Sequence, residues 1–579
     1  MRLRIVDNRL IIGIGLALVF IVAMACSSAD DDEVASTAAP AAPPVAQPTT
    51  APTTAPAVQP TQAPPAQAVG FTFWNGLAAK CETRGGNLRL GNRIDSFANL
   101  NPATINQVIQ FSITAEILGG LMQLDAELKP VPDMATSWSV SSDGLTYRFE
   151  LREDAKFHTG RPVTADDWLF TYDHQIDPAT QSIHTKGLEG VERPVKIDDF
   201  TIEITTAFPR ASFLSKVVER ASGRVMSLVD SETLAEIGEG GFNRMPVGAG
   251  PFKVVEHVLG ERLELEAATG TFYDPSVPCL DSITMSNIPD DNTLVAALES
   301  GGVDIIYGFP PQFWDRIEAS DDLIVDSAPD VGFQNIGFNV RADRAEKIGR
   351  ETAPWDDINV IYALGAALDR DEFIARAFQG RAIPSYGPIP PGQKFFFRDL
   401  GPTSKRAFDL PRAKQLMKDA GYEDGFEFTV LSGTGNRVPL EVLSALWKET
   451  LNVIVIPDIQ ESSIFTPRWQ KGEFDAYFTG SGGDPDPDDS IDDWFTDGSK
   501  FMFIGYNDEV VNRLNRQQKA EVDINKRLEL ILELSARMDE TYPGIFTHHR
   551  ILRTAYSKDV KGYQWIHAMR QLEATWLDR

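Results

Sequence analysis

The sequence has few residues of the types that bind transition metals. Its 579 residues include 3 cysteines and 7 histidines. The histidines are scattered along the chain, and the adjacent His548 and His549 would point to opposite faces of a strand, because successive side chains alternate. The sequence therefore predicts no metal site and no cofactor.

The motifs of common catalytic sites are also missing. The chain has no Gly-x-Ser-x-Gly nucleophile elbow, no His-Glu-x-x-His zinc motif and no Gly-x-x-x-x-Gly-Lys-Ser/Thr phosphate-binding loop. A pair of carboxylates for glycoside hydrolysis stays open as an alternative, because the separation that it needs is a property of the fold. We therefore predict a protein that is not an enzyme.

Basic residues are outnumbered by acidic ones. The chain has 54 lysines and arginines against 83 aspartates and glutamates, which gives a formal net charge of −29 at pH 7. A charge of this sign repels phosphate backbones and favours solubility. We therefore expect no nucleic-acid partner.

The N-terminus has the composition of an export signal. Arg2, Arg4 and Arg9 precede an uncharged apolar run that ends just before Cys26. The run is shorter than the roughly 20 residues that a membrane-spanning helix needs. This end resembles the lipobox of bacterial lipoproteins, which implies removal of residues 1–25 and lipid attachment to Cys26. An uncleaved membrane anchor is the alternative, and both place the rest of the chain on the extracytoplasmic side.

Residues 26–70 are rich in proline, alanine and threonine and contain no aromatic residue. Such a segment cannot bury enough apolar surface to offset the entropy of ordering, so it is predicted to be disordered. Frequent prolines favour extended backbone, as in a semi-rigid spacer. We therefore expect a tether that holds a globular body away from a membrane.

Two cysteines, Cys81 and Cys279, remain beyond the predicted lipid-attachment site. An exported chain meets oxidising conditions, which favours a disulfide between them. Two separately buried thiols are the alternative, because the sequence does not give the Cα separation that the bond requires.

The first half of the body is predicted to be rich in strands. Alternating polar and apolar residues indicate strands at 145–152 and 262–268. Thr164 and Asp167 have the spacing of a capping box, so a helix should begin after Thr164. The length of the body suits about three units of roughly 150 residues each.

The second half alternates short apolar strands with helical patterns, which predicts parallel strand pairing. One of its helices should begin at Pro411 and stop at Gly421. A helical pair at 508–540 precedes a last strand, 544–557, which we expect to return to the sheet of the first half. The short strands are predicted at 426–431, 453–456 and 474–478.

Two glycine-rich segments follow predicted strands of this second half. GSGGDPDPDD, residues 480–489, follows one strand, and SGTGN, residues 432–436, follows another. Because ligands bind outside the carboxyl ends of strands in open α/β sheets, both segments should lie on one rim of a cleft. The predicted ligand-binding residues are Phe478, Thr479, Gly480, Ser481, Gly482, Asp484, Gly433, Thr434 and Trp494.

The acidic residues of the first segment also allow other interpretations. Asp484, Asp486 and Asp488 alternate as in a calcium loop, but Asp489 stands where that loop needs glycine and Phe495 where it needs glutamate. This spacing argues against calcium. A solvated, turn-forming acidic loop is the alternative to a cleft lip.

Several stretches together resemble one family. PDMATSWSVSSDGLTYRFELREDAKFHTGRPVTADDWLFT, residues 132–171, is similar to the signature of the dipeptide-, oligopeptide- and nickel-binding type of ABC importer subunits, the family 5 solute-binding proteins. Each motif is weak alone, but together they follow the order and spacing of the family, and the resemblance covers residues 85–566. The later motifs are VGAGPFKVVEH, LVAALESGGVDI, NIGFNV, IYALGAALDRDEFI, AKQLMKDAGY and KGEFDAYFTG.

The resemblance implies an α/β, two-lobed fold of the periplasmic-binding-protein type, class II, with an extra subdomain in the first lobe. Lobe two would span residues 331–546, and the extra subdomain of lobe one residues 112–244. The sheet subdomain of lobe one would combine residues 85–111, 245–330 and 547–579. Hinge crossings are expected near VGFQNIGFN and GIFTHH.

The resemblance also implies a monomeric solute-binding lipoprotein. It would capture a peptide or another small solute between its lobes and deliver it to the permease subunits of an ABC importer. His158 would be structural. A surface-tethered hydrolase and a receptor that presents ligand to a sensor are the alternatives.

One position departs from the pattern of the peptide-binding members. They carry an Asp that pairs with the α-ammonium of the ligand, and Ser481 occupies that place here, with Asp484 as a substitute one turn further on. A buried ammonium without a carboxylate is costly. We therefore predict weak binding of di- and tripeptides that have a free N-terminus.

Overall fold

The computed structural model describes residues 81–93, 97, 99–105, 108–125, 130–220, 225–349, 351, 353–483, 486–566 and 569–579, all within one unit of the chain, residues 66–579. The predicted signal peptide, Cys26, the tether and Asp484 lie outside the described residues. None of the described helices has the length and hydropathy of a membrane-spanning segment.

The described residues form 22 strands and 14 α-helices. The strands are β1 (Asn87–Asn92), β2 (Met122–Leu124), β3 (Pro130–Pro132), β4 (Ala135–Val140), β5 (Thr146–Leu151), β6 (Val195–Asp198), β7 (Thr201–Thr205), β8 (Phe252–Val258), β9 (Arg262–Ala267), β10 (Ser282–Asn287), β11 (Ile305–Tyr307), β12 (Leu323–Pro329), β13 (Gln334–Phe338), β14 (Ala382–Pro384), β15 (Glu427–Gly433), β16 (Ile454–Gln460), β17 (Ala476–Gly480), β18 (Gly544–Ser557), β19 (Val560–Lys561), β20 (Gln564–Ile566), β21 (Met569–Gln571) and β22 (Trp576–Leu577). The helices are α1 (Val108–Ile117), α2 (Ala165–Ile176), α3 (Ser231–Phe242), α4 (Asp291–Glu299), α5 (Trp314–Glu318), α6 (Arg344–Ile348), α7 (Ile358–Ala366), α8 (Arg370–Phe378), α9 (Leu410–Asp419), α10 (Arg437–Leu451), α11 (Ser462–Lys471), α12 (Pro487–Phe495), α13 (Glu509–Ala520) and α14 (Ile524–Thr541).

One sheet of 12 strands links the two halves of the body, in the order β16-β15-β17-β13-β18-β11-β1-β10-β9-β8, with β12 and β14 also paired to β18. The first residues of β18 pair with β13 and β14, and its last residues pair with β11 and β12. The strand predicted at 544–557 therefore has the expected bounds and returns to the first half. It also pairs with the second half, so both halves share it.

The second half has the predicted parallel strands. β15 pairs in parallel with β16 and with β17. The three strands begin one or two residues later than predicted and extend further, because their ladders continue into the polar residues that follow each apolar run. Asp409 caps α9 by accepting a hydrogen bond from the backbone of Arg412, and the helix ends before Gly421, whose φ is 82°.

The extra subdomain has its own sheet, β4-β5-β7-β6, and its own apolar core. Helix α2 begins after Thr164 as predicted, and Asp167 completes the capping box. Trp168, on the buried face of this helix, is fully buried in that core. Local signals therefore place this helix correctly.

Helix α1 belongs to the sheet subdomain of lobe one. Ile109, Ile113 and Ile117 recur every four residues and pack in the core of that sheet. The predicted boundary between residues 111 and 112 therefore falls inside a helix. The core of the extra subdomain begins at Leu121.

A disulfide joins Cys81 and Cys279, whose Cα atoms lie 5.4 Å apart. This is the separation that the sequence alone could not give. The bond ties the start of the described chain to the loop before β10, where the amide of Gly85 also donates to the carbonyl of Cys279 at 2.8 Å.

Candidate ligand-binding site

The two glycine-rich segments lie at the same edge of the sheet. β15 and β17 are parallel neighbours, and Ser432 is paired in register with Phe478. The hydroxyl of Ser432 donates to the carbonyl oxygen of Phe478 at 2.5 Å, and Asn436 donates to the same oxygen at 3.2 Å. The rim that was predicted from strand order is therefore present in the structure.

A cavity of about 730 Å³ lies beside this rim, and we call it the hinge cavity. It is lined by Tyr307 of lobe one, by Phe378 and Gly435 of lobe two, and by residues 550–553 of β18. Cavities of this volume accommodate small-molecule ligands. Lobe one, lobe two and the strand that they share therefore all contribute to its wall.

A second cavity, of about 680 Å³, lies between the extra subdomain and lobe two, and we call it the subdomain cavity. Its wall includes Phe208 of the extra subdomain and Ser481 and Trp494 of lobe two. Gly482 lines both cavities. The segment that follows β17 therefore stands between them.

Glycines in this segment serve two different purposes. A Cβ at Gly480 would lie 1.9 Å from the carbonyl oxygen of Phe333, and one at Gly483 would lie 1.7 Å from that of Val331. These two glycines let the segment pack against the lobe crossing between β12 and β13. A Cβ at Gly482 would meet no atom within 4 Å, so this residue leaves space open toward the cavities.

The structure divides the predicted ligand-binding residues into three groups. Ser481, Gly482 and Trp494 line a cavity. Asp484 lies outside the described residues. The rest do not line either cavity: Phe478, Thr479, Gly480, Gly433 and Thr434.

Phe478 is a clear correction. Its side chain is fully buried in the core of lobe two, because alternation along β17 turns it away from the rim. Gly433 and Thr434 are replaced in the wall of the hinge cavity by their neighbour Gly435. Strand order predicts the position of the rim, but it does not predict which side chains face the cavity.

Two of the acidic residues of the segment, Asp486 and Asp488, lie buried at the start of a helix, which corrects their interpretation as part of a solvated loop. Asp486 caps α12 and forms an ion pair with Arg527 at 2.5 Å, with both side chains nearly inaccessible to solvent. Asp488 is buried as well. Burial would raise the pKa of Asp488, but Lys216 and Lys519 hold it below its ordinary value. Both carboxylates therefore have structural partners.

These buried carboxylates also connect the lobes. Ser212 of the extra subdomain donates to Asp488 at 2.9 Å, and Ser215 donates to Asp486 at 3.3 Å. The amide of Ala211 donates to the carbonyl of Lys519 at 2.9 Å. We call Ser212, Ser215 and their two carboxylate partners the interlobe contact.

The histidines near the site are neutral structural residues. Burial lowers the pKa of His549 to about 4, and that of His548 well below its ordinary value. His548 lines the hinge cavity, and its ring packs on Phe378 with centroids 4.3 Å apart. His158 contacts the carbonyl of Gly250 at 3.0 Å within lobe one, and burial lowers its pKa to about 4 as well.

No metal centre is found in the part of the chain that the structure describes. Within it, no group of three or more His, Cys, Asp or Glu side chains could hold a metal ion. Sequence reasoning missed the cluster of arginines in the hinge cavity. No local motif marks them, because they come from α8, from the turn before β14 and from β18, which are distant parts of the chain.

Two lobes that share a strand, with an extra subdomain and cavities between the lobes, define the class of two-lobed ligand-binding proteins. The model of the bacterial extracellular solute-binding proteins, family 5, middle region, matches residues 129–502. The chain belongs to this family.

Individual relatives agree with this assignment. The glutathione-binding protein GsiB of Pectobacterium atrosepticum is 28% identical over 349 residues, which cover 60% of this chain and 64% of that protein. The match therefore spans slightly less than two thirds of the relative's length.

Solved structures show the same fold. DppA of Helicobacter pylori, in complex with the peptide STSA, has a TM-score of 0.71 at 22% identity and covers 86% of this chain and 99% of its own. AppA of Bacillus subtilis, in complex with a nonapeptide, has a TM-score of 0.69 at 22% identity, with coverage of 86% and 100%. At this identity the likeness concerns the fold.

Proposed function

We propose that this protein is the extracytoplasmic solute-binding subunit of an ABC importer and has no catalytic activity of its own. It captures a peptide or a similar small solute between its lobes and delivers it to the permease subunits. The observation that carries the proposal is the hinge cavity, whose wall combines lobe one, lobe two and their shared strand. A ligand that touches both lobes stabilises their closed arrangement by its differential affinity.

Family membership and the ligands of relatives support the class of solute. One relative is named for glutathione, and two structural neighbours hold peptides. The volumes of the two cavities, about 730 and 680 Å³, suit a ligand of a few residues. Fold alone does not fix the cargo, so the solute must be measured.

The deciding experiment analyses protein purified without refolding. We expect mass spectrometry of the molecules released by denaturation to find a small solute at near-stoichiometric amount, which rebinds to the emptied protein unchanged. Chemical turnover of that solute by the pure protein would instead indicate a hydrolase. An emptied protein that rebinds none of the released molecules would contradict the proposal.

Membrane attachment is proposed separately, from the sequence of the N-terminus. Lipid on Cys26 and a tether of residues 26–70 would hold a monomeric body at the extracytoplasmic face of the cell membrane. The Cys26→Ser protein should lose the lipid label, with Cys81→Ser as the control that keeps the label. A Cys26→Ser protein that still carries lipid would exclude this anchor.

A further inference from the structure

The hinge cavity is more cationic than the rest of this acidic protein. Among the described residues that line it, there is a single carboxylate, Asp330. Its lining arginines are Arg376, Arg381, Arg550 and Arg553. On a chain with a formal net charge of −29, four arginines around one cavity form a local exception.

Three of these arginines already have carboxylate partners. Arg550 pairs with Asp330 at 2.7 Å, within the cavity wall. The partners of the other two do not line the cavity: Arg376 pairs with Glu372 and Glu449, and Arg381 pairs with Asp315. These three charges are therefore compensated by the protein itself.

Arg553 differs from the other three. Within the described part of the chain, no carboxylate lies at ion-pair distance from it. Its Nε donates to the carbonyl of Phe309, and its Nη1 donates to that of Ile551 at 3.4 Å. A guanidinium has five N–H groups, so these two neutral acceptors leave most of its donors unused.

The surroundings of Arg553 disfavour an isolated charge. Burial, together with repulsion from Arg93, Arg550 and Arg381, lowers the pKa of this guanidinium to about 10. A partly buried cation among other cations is costly unless an anion compensates it. The described part of the protein supplies no such anion, whereas the cavity leaves room for one.

We infer that Arg553 binds a carboxylate of the solute, and that the hinge cavity holds the anionic end of the ligand. The inference rests on the proposed function. One uncompensated positive charge matches one carboxylate, and a guanidinium matches the planar carboxylate with two parallel hydrogen bonds. Phe378, Val438 and Pro439, which also line the cavity, give the adjoining part of the ligand an apolar surface.

The other end of the ligand would meet the uncharged Ser481, in a cavity whose wall elsewhere carries charges of both signs, such as those of Asp493 and Lys500. Gly482 joins the hinge cavity to the subdomain cavity, and Ser481 beside it carries no charge. The solute class is therefore a carboxylate attached to a partly apolar body, with an uncharged group where a free peptide would carry its ammonium. N-acetylated tripeptides with a free C-terminus have this chemistry.

The test compares two mixed libraries of N-acetylated tripeptides, one with C-terminal carboxylates and one with C-terminal amides. Emptied protein is incubated with each, and retained peptides are measured by mass spectrometry after rapid gel filtration. We expect the carboxylates to be retained at least tenfold better than the amides. Arg553→Gln should remove most of this preference, and Arg553→Lys should restore part of it.

Arg376→Gln is the matched control. It removes the same charge from the same cavity wall, but from an arginine that pairs with Glu372 and Glu449. This variant should keep the preference for carboxylates. Melting temperatures of all variants are compared, because Arg553 also holds the carbonyl of Phe309. Loss of the preference in Arg376→Gln and Arg553→Gln alike would overturn a specific role for Arg553.

The remaining outcomes separate this inference from the proposed function. Equal retention of amides and carboxylates, or a native solute without a carboxylate, overturns the inference and leaves solute binding intact. If neither library is retained, binding of the native solute is compared between the unaltered protein and Arg553→Gln. A native solute that carries a carboxylate and no longer binds to Arg553→Gln supports the inference. A native solute that binds to Arg553→Gln with unchanged affinity overturns the inference. If the purified protein holds no solute and neither library is retained, both the inference and the proposed function are contradicted.

Discussion

Ser481 stands at the rim position where the family resemblance predicts an Asp. Ser481 is almost fully buried, lines the subdomain cavity and accepts a hydrogen bond from the amide of Gly483 at 2.9 Å. A hydroxyl at this place cannot neutralise an ammonium. If the proposed solute is a peptide, this residue therefore bears on which of its ends the rim accepts.

Ser481→Asp should improve binding of dipeptides with a free N-terminus by at least tenfold, because a hydrogen bond between charged groups contributes about 1.5 kcal/mol or more. Calorimetry with alanyl-alanine measures the change, and Ser481→Asn, of equal size without the charge, should leave the affinity unchanged. Tight binding by the unaltered protein that is lost in Asp484→Ala would show that Asp484 takes this role.

Buried histidines make stability depend on pH. The pKa values of His158 and His549 are lowered to about 4 by burial, from an ordinary value of about 6.5 in the unfolded chain. As pH falls below 6.5 the unfolded state binds protons first, so the free energy of unfolding decreases until the folded pKa is reached. The stability from these groups is complete above pH 6.5 and lost toward pH 4.

We expect the free energy of unfolding to fall between pH 6.5 and 5 with a slope of up to about 1.4 kcal/mol per pH unit for each such histidine. Urea denaturation at several pH values measures it. The double variant His158→Gln, His549→Gln should flatten the slope. An unchanged slope in this variant would assign the pH dependence to other groups.

Strands and helices with local sequence signals could be predicted, whereas contacts between distant elements could not. β18 and α9 have local signals, an apolar and aromatic run and a capped helix, and both were predicted at or near their bounds. The burial of Asp486 has no local signal, because its partner Arg527 lies in a helix 41 residues further along the chain. The pairing of distant elements, and with it the arginine cluster, therefore could not be predicted from local pattern.

The start of α12 and the turn near Ser212 hold the lobes together at the interlobe contact. The double variant Ser212→Ala, Ser215→Ala should favour the open arrangement, because two hydrogen bonds to carboxylates are lost without any change to the cavity walls. Small-angle scattering of the ligand-free variant should give a larger radius of gyration than that of the unaltered protein.

Ser444→Ala is the control for this prediction, since Ser444 donates to the carbonyl of Val455 at 3.1 Å within lobe two. It should not change the radius of gyration. Identical scattering from the double variant and the unaltered protein would mean that the interlobe contact does not determine the position of the lobes.

The whole molecule is expected to close on its solute. The radius of gyration should decrease when the native solute is added to emptied protein, because the hinge cavity is formed by both lobes. Trp494 lines the subdomain cavity, so its fluorescence should change in parallel, and Trp494→Phe should remove that part of the signal. Unchanged scattering at saturating solute would contradict lobe closure.

The strand shared by both lobes has a consequence for biogenesis. β18 follows every other strand of the twelve-stranded sheet in the chain and lies between β13 and β11 in that sheet. A ribosome makes the chain from its N-terminus, so neither half of the sheet has its central neighbour until β18 has been made. The body should therefore remain incompletely folded during most of its synthesis, which keeps it available to chaperones and to an export channel that accepts unfolded chains.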